Sequence, residues 1–427
     1  MATQKFPLFS KQVVAWAAYD WANSAFATTV MVVFFPVFFK QYWSTGVSAT
    51  ESTFWLGMAN GISSFLLAVL APWLGTLGDR GGARLRFLLA FTVLGVAATA
   101  GLYFVAQGEW VWAAILFALA SMGFWGGIIF YDSLLMDVAP PDRLDTVSGL
   151  GYSIGYLGGG VLLAVNVWMT LDPTLFGLVD AAHAVRVSFL SVAVWWALFA
   201  LPIFLTVRER TSDVSHVGST LRDSFVALGN TFREVRRFRP VILFLLAYWM
   251  YIDGVNTIQK MAVDYGLSIG LETSSLIQAI LLVQFIGFPA ALLFGWIGQR
   301  ISPVKGLFIC IAVYAAVTVY ATFLDTAAEF FIMAAVTGCV QGGIQSLSRS
   351  YYARLIPVHR AGTFFGFYNM MGKFAAVLGP LLMGATALLT GNSRTAILSI
   401  VVLFIGGAIM LTFAARAARV PGPHTFS

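Results

Sequence analysis

The sequence predicts an all-α polytopic membrane protein with twelve transmembrane helices, arranged as two pseudo-symmetric six-helix bundles with both termini in the cytoplasm. Hydrophobic residues make up 59% of the 427 residues and charged residues 10%, and the mean hydropathy is +0.84. Soluble domains carry charges on about a quarter of their residues, so this composition excludes a soluble fold. One long polar connection, at 208–239, divides the apolar stretches into two sets of six.

Each helix is predicted from an apolar window long enough to cross the hydrocarbon core of a bilayer. The windows are 13–39, 53–77, 85–106, 110–138, 147–170, 186–207, 240–264, 272–298, 304–324, 328–350, 361–389 and 394–416. The polar connection then predicts an N-terminal bundle over 1–207, a cytoplasmic linker over 208–239 and a C-terminal bundle over 240–427.

The orientation follows from the basic residues. Most of the 25 Lys and Arg residues fall in loops on the side of the N-terminus, and Arg349 is counted among them. The positive-inside rule makes this side cytoplasmic, so we expect a monomeric multi-pass protein in the bilayer of the cytoplasmic (inner) membrane. The basic loops are then orientation signals, and nucleic acid is not an expected partner. No nucleotide-binding loop, catalytic triad or metal-ligand spacing is present, so we expect no enzyme activity, no cofactor and no metal.

An internal repeat supports the two bundles. The first span contains Asp20 and Asn23 in a D-x-x-N pattern, and the seventh span contains Asp253 and Asn256 in the same pattern. Similar motifs at corresponding places of two halves are typical of transporters built from duplicated bundles.

The short loop after the second span carries a specific motif. It reads G-x-x-x-D-R-x-G-x-R and consists of Gly75, Asp79, Arg80, Gly82 and Arg84. Its pattern and position resemble the signature loop of the major facilitator superfamily. The resemblance implies that these five residues form a gate, which latches the two halves together on the cytoplasmic side. The corresponding loop of the second half has Gln299 in place of the acid, which predicts a weaker second latch.

Two further stretches narrow the resemblance. The run YDWANSAF over 19–26 and the run FYDSLLMDVA over 130–139 resemble the vacuole-effluxer-like branch of the superfamily. That branch includes the yeast vacuolar amino-acid effluxer, so the resemblance implies transport of a small molecule.

Five charged residues fall within the predicted spans, where an unpaired charge is costly. They are Asp20, Asp132, Asp253, Lys260 and Lys373. We expect Lys260 or Lys373 to meet one of the three carboxylates. Such a pair serves packing alone, or it couples proton movement to alternating access; the polar face of Asp20 likewise fits helix packing or a transport pathway.

Polar side chains on the same spans are candidates for the substrate cavity. They are Asn23, Tyr131, Asn256, Gln341, Gln345 and Asn369. This mixture favours a secondary active transporter that exports a small polar metabolite, such as an amino acid, with protons. The alternatives are an exporter of a hydrophobic drug or lipid, and a transporter-like receptor that binds solute without moving it.

Overall fold

The computed structural model describes residues 9–79, 82–210, 238–268, 272–324, 326–375, 378–390 and 393–419. Within these ranges the chain is helical and contains no strand. Twelve helices are long and apolar enough to cross a membrane, which confirms the predicted number of spans.

We number the spans α1 to α12. The helices are α1 Lys11–Trp43, α2 Ala49–Gly78, α3 Arg84–Gly101, α4 Trp110–Val138, α5 Leu144–Leu171, α6 Ala181–Thr206, α7 Arg239–Ser268, α8 Thr273–Arg300, α9 Pro303–Ala321 and α10 Ala327–Leu355. The eleventh span consists of two helices, α11a Ala361–Phe374 and α11b Leu378–Thr390. The last, α12, is Val401–Ala417, and the short helix Ser393–Leu398 precedes it.

The most extensive contacts between the two sets of six helices are made by two equivalent pairs, α5 with α8 and α2 with α11a. Gly149 of α5 lies against the backbone of Gly295, and Gly366 of α11a lies against the backbone of Ala71 and Pro72. A Cβ at either glycine would overlap the neighbouring backbone, so close packing at both places depends on glycine. The equivalent contacts agree with a duplicated architecture.

Because the number of spans is even, the start of α1 and the end of α12 lie on one side of the molecule, which is also the side where α2 ends and α3 begins. We call this side the latch end. The proposed limits of the two bundles and of the linker remain a prediction, because 211–237 lies outside the described ranges.

Candidate functional site

A buried arginine lies at the contact between the two halves. Arg349 of α10 is 1% exposed. Its Nη1 lies 3.1 Å from Asp132 Oδ1 and 4.0 Å from Asp20 Oδ2. Its Nε donates to Ser148 Oγ at 3.0 Å, and its Nη2 donates to the Ser148 carbonyl at 3.0 Å. Through these hydrogen bonds the planar guanidinium of Arg349 joins α10 to both α4 and α5 of the first half.

Aromatic rings surround the same guanidinium. Its carbon lies 4.8 Å from the ring centroid of Trp16, 5.4 Å from that of Tyr131 and 4.3 Å from that of Tyr152. Cations are attracted to the faces of such rings, and more strongly where water is excluded. The rings therefore compensate part of the hydration that Arg349 loses on burial.

The two carboxylates are held differently. Asp132 accepts a hydrogen bond from Arg349 at 3.1 Å and one from Asn369 Nδ2 at 3.2 Å. Asp20 accepts hydroxyl hydrogen bonds, from Tyr131 at 3.1 Å and from Ser24 at 3.4 Å. Asp132 is thus the closer partner of the arginine, and Asp20 is the more loosely held acid.

We call Arg349, Asp132, Asp20, Ser148 and Asn369 the arginine cluster. Its members come from α1, α4 and α5 of the first half and from α10 and α11a of the second. Any separation of the halves at this level must break charged contacts.

The cluster corrects one expectation and narrows another. Arg349 is a buried residue of α10 rather than a loop cation. We expected Lys260 or Lys373 to meet one of the three carboxylates. The cation beside Asp20 and Asp132 is Arg349, and for Asp253 the expectation stays a prediction. The Lys373 ammonium lies over the ring of Trp125, and the side chain of Lys260 falls outside the described part of the chain.

The second copy of the D-x-x-N motif contacts the end of α11a and the start of α11b. Asp253 is buried and accepts hydrogen bonds from the backbone N–H groups of Leu378 at 2.9 Å and Gly379 at 3.0 Å. Asn256 Nδ2 donates to the carbonyl of Ala375 at 2.9 Å. The two copies of the motif therefore have different partners.

Three amide side chains among the cavity candidates differ in their partners. Gln345 Oε1 accepts from the hydroxyl of Tyr156 at 2.9 Å, and Gln341 is half-buried one turn earlier on α10. Asn23 is 1% exposed, and its Nδ2 has no hydrogen-bond partner among the described residues. A buried amide donor without a partner costs free energy, so Asn23 Nδ2 is a candidate donor of a hydrogen bond to a polar ligand.

The predicted gate closes on the second half. Asp79 accepts hydrogen bonds from Gly362 N at 2.8 Å, Thr363 N at 2.7 Å and Thr363 Oγ1 at 2.8 Å, all at the start of α11a. Gly75 packs against the carbonyl of Gly362 with no room for a Cβ. Burial raises the pKa of the Asp79 carboxyl above its ordinary value of 3.8, while Arg84 and the bonds from Thr363 and Gly362 act in the opposite direction.

Of the two basic residues in the predicted gate, the structure describes Arg84, and its ion pairs are with Asp137 and Glu209. Arg84 Nη2 lies 2.9 Å from Asp137 Oδ2, and its Nε lies 3.5 Å from Glu209 Oε2. Gly82 has φ +68°, a conformation that favours glycine and turns the loop into α3. Arg80 lies outside the described ranges.

The second latch contains an acid that the motif alignment does not reveal. Gln299 Oε1 accepts from Thr146 Oγ1 at 3.3 Å, but the adjacent Asp145 of α5 is fully buried. Asp145 pairs with Arg354 of α10 at 2.5 Å and accepts from Ser350 Oγ at 2.6 Å. At the second latch the acid is therefore Asp145 of α5, which packs against α8, and not a residue at the end of α8 itself. The relative strength of the two latches remains a prediction.

Comparison with known proteins identifies the family. The family described as vacuole effluxer Atg22 like matches residues 46–144 and 136–419. The chain is 40% identical over 409 residues to the MFS-type transporter YxiO of Bacillus subtilis, covering 95% of each chain. It is 24% identical over 449 residues to autophagy-related protein 22 of Eremothecium gossypii, covering 90% of this chain and 87% of that one.

Solved structures agree on the fold. The human organic anion transporter MFSD10 superposes with a TM-score of 0.73 at 14% identity, covering 95% of this chain and 100% of that one. The transporter FucP in the outward conformation superposes with a TM-score of 0.70 at 14% identity, covering 97% and 99%. These relatives are membrane transporters rather than enzymes. The chain therefore belongs to the vacuole effluxer Atg22-like family of the major facilitator superfamily, and its function is membrane transport.

Proposed function

We propose that this protein is a secondary active transporter that exports a small polar metabolite, an amino acid or a similar solute, together with proton movement. Transport itself follows from the family. The observation that carries the finer proposal is the arginine cluster, in which one buried guanidinium faces two carboxylates across the contact between the halves.

The charge count of the cluster supports proton coupling. With both acids ionised, Asp20, Asp132 and Arg349 together carry one excess negative charge in a place from which water is largely excluded. An uncompensated buried charge is costly, so a proton or a cationic group of the solute is needed to balance it. We assign that proton to Asp20, because Asp132 is the acid in direct contact with the arginine.

The latch supports alternating access. We assign gating to Gly75, Asp79, Arg80, Gly82 and Arg84. We infer that the protein is a monomer in the cytoplasmic (inner) membrane and that its latch end faces the cytoplasm. With the latch end closed, the structure then corresponds to an outward-facing state. Its opening to the cytoplasm requires release of Asp79 from α11a.

The cavity side chains favour a solute that carries both an amine and polar groups. Gln341, Gln345 and Asn23 offer amide donors and acceptors, and Tyr131 and Asn369 already bind the two acids of the cluster. A positively charged solute amine near Asp20 would balance the charge of the arginine cluster in place of the proton. Solute and proton would then bind alternately at Asp20, and the protein would exchange one for the other.

The test is transport by the purified protein in liposomes. A pH gradient is imposed, and pools of amino acids and small peptides are screened for counterflow. We expect Asp20→Asn to abolish gradient-driven movement while solute exchange continues, because the variant cannot release the proton. Unchanged proton dependence in this variant would contradict the assignment to Asp20.

A second candidate is the export of a hydrophobic solute or lipid. One observation favours it: an apolar groove of about 380 Å³ lies on the membrane-facing side of α5 and α6. Its lining is Leu162, Val187, Leu190, Ser191, Val194, Trp195, Leu198 and Phe199. Movement of hydrophobic cations or lipid in the liposome screen, with no movement of any polar solute, would favour this candidate. Binding without any movement would indicate a receptor.

A further inference from the structure

A second contact between α4 and α11a lies beside the arginine cluster. The ammonium nitrogen of Lys373 lies 2.7 Å from the ring centroid of Trp125. On α11a, Lys373 follows Asn369 by four residues, and on α4, Trp125 precedes Asp132 by seven. Both intervals return to the same helix face. The lysine–tryptophan pair, Lys373 with Trp125, therefore continues the line of contact that begins with the hydrogen bond from Asn369 to Asp132.

The directions of the two helices place this pair farther from the latch end than the arginine cluster. Helix α4 ends at the latch end, and α11a begins there. At about 1.5 Å per residue, the step away from the cluster is about 10 Å along α4 and about 6 Å along α11a. Trp125 is near the middle of Trp110–Val138, and Lys373 is near the middle of the eleventh span, Val358–Thr390. Transporters with duplicated bundles bind their solutes near the midplane of the bilayer.

The position of Lys373 is fixed from both halves. One helical turn earlier, Asn369 donates to Asp132 of the first half at 3.2 Å. The ring of Tyr368 stacks on Tyr248 of α7 in the second half, with ring centroids 4.2 Å apart. Helix α11a is therefore bound to both halves at this level, and Lys373 has a defined place at the contact between them.

The pair is more accessible than the arginine cluster. Trp125 and Lys373 are half-buried, whereas the three charged side chains of the cluster are buried. The contacts of Asp79 close the latch end. A solute that enters between the halves from the opposite side therefore meets Lys373 before it meets the cluster.

The charges at the two levels are opposite. With both acids ionised, the arginine cluster has one excess negative charge, and Lys373 adds a positive charge about one helical turn away. Charged side chains within a membrane span are costly and mark solute or ion pathways. A zwitterion with its ammonium towards Asp20 and its carboxylate towards Lys373 balances both charges. An amine without a carboxylate balances only the first.

The tryptophan ring suits an ammonium that binds an anion. A ring face attracts a cation and carries no net charge, so it holds the ammonium without neutralising it. Lysine has three N–H donors, and a ring covers the ammonium from one side only. A solute carboxylate can approach from another side and form a charge-assisted hydrogen bond.

We propose that Lys373, supported by Trp125, binds the carboxylate of the transported solute while the solute amine lies towards Asp20. The solute is then a small zwitterion that carries both an amine and a carboxylate. This assignment rests on the proposed function and narrows it, because a polar solute without an acidic group would leave Lys373 without a role in binding.

The test is equilibrium binding to the full-length protein in lipid nanodiscs. Each standard amino acid is titrated beside two matched compounds, the amine that lacks its carboxyl group and the carboxylic acid that lacks its amine. We expect the unmodified protein to bind at least one amino acid about ten-fold more tightly than the matched amine, or better. The reason is that the charge-assisted hydrogen bond to Lys373 is lost together with the carboxylate.

The variants assign this preference to the pair. Lys373→Gln should bring the two Kd values together, and Lys373→Arg should keep most of the difference because it keeps the charge. Amine binding that Lys373→Gln retains shows that the variant is folded. Trp125→Leu should weaken binding of the amino acid more than binding of the amine. Lys305→Gln is the matched control, since Lys305 is an exposed lysine near the start of α9 and its removal should leave the ratio unchanged.

The outcomes separate this site from the proposed function. Equal Kd values for every amino acid and its amine in the unmodified protein would overturn the carboxylate site, and so would a ratio that Lys373→Gln leaves unchanged. Either result leaves the export of a polar solute standing if an amino acid still moves in liposomes. Binding of carboxylic acids alone, abolished by Lys373→Gln, would keep the site and contradict the role of a solute amine. No binding by any amino acid or carboxylic acid would overturn both.

Discussion

We predict that the carboxylate of Asp79 controls how firmly the latch end closes, and substitution of Asp79 by asparagine tests this prediction. The carboxylate receives three hydrogen bonds of 2.7 to 2.8 Å from the first turn of α11a. Two come from backbone N–H groups at the positive end of a helix, where a negative charge is favoured. Asparagine keeps the shape and one acceptor oxygen but loses the charge.

The size of the effect follows from these contacts. Hydrogen bonds to charged groups contribute about 1.5 to 3 kcal/mol each, and neutral ones about 1 kcal/mol. Because Asp79 is half-buried, we take the low end of this range. With the weaker bonds that asparagine retains, Asp79→Asn should destabilise the closed latch by about 2 kcal/mol. That difference corresponds to about a thirty-fold shift in the ratio of closed to open molecules.

The assay is a distance distribution between two spin labels at the latch end. Arg86 of the first half and Arg300 of the second are exposed there and are suitable label sites once Cys310 and Cys339 have been replaced by alanine. Asp79→Asn should move a large part of the population to longer distances.

A graded control comes from the same contact. Thr363→Val removes the hydroxyl hydrogen bond and keeps both backbone donors. At the low end of the range, about 1.5 kcal/mol, it should shift the ratio by about ten-fold, less than Asp79→Asn does. Distributions that are identical in the unmodified protein and in Asp79→Asn would refute the role of Asp79 as a latch.

Two further predictions concern the remaining contacts. Arg349→Lys keeps the charge but loses the planar fork, so the hydrogen bonds to Ser148 are lost and gradient-driven transport should fall at least about ten-fold in liposomes, while protein yield and helix content by circular dichroism stay the same. Gln345→Leu removes the oxygen that accepts the hydrogen bond of the Tyr156 hydroxyl and should raise KM more than it lowers turnover, as measured by initial rates at varied solute.

The spans could be predicted from sequence because they depend on a local pattern, and a local motif likewise marks Asp79, whose role as a latch stays a prediction. An apolar window of sufficient length crosses a membrane whatever its neighbours are. Asp79 stands at the end of such a window in a motif with a known place in the fold. Its partner Thr363 lies 284 residues away in the chain, and no local pattern identifies it.

Arg349 was misassigned because it lies at the edge of its window, where the count of basic loop residues includes it. A usable signal was present: Gln341, Gln345 and Arg349 follow one another at intervals of four and form one polar face of α10. A polar face that ends in arginine inside an apolar window predicts a buried partner of opposite charge.

The division of the eleventh span into two helices was likewise missed, although Gly379 and Pro380 stand in the middle of the window 361–389. Proline is tolerated in the first turn of a helix and disfavoured in its interior, so it marks the start of α11b. Hydropathy alone does not detect such a division, because both segments remain apolar.

The duplicated halves differ at their charged positions, and the proposed mechanism makes use of this difference. Asp20 takes part in the arginine cluster, whereas its counterpart Asp253 binds backbone N–H groups of α11b. Likewise Asp79 closes one side of the latch end from the loop, whereas Asp145 closes the other side from the facing helix. If the two halves were identical in charge, a proton arriving at either acid would have the same effect on the contact between them. With one acid near the shared arginine and the other bound to the backbone of α11b, a proton on Asp20 would balance the excess charge of the arginine cluster and would have no counterpart at Asp253, which is the asymmetry that the proposed coupling requires.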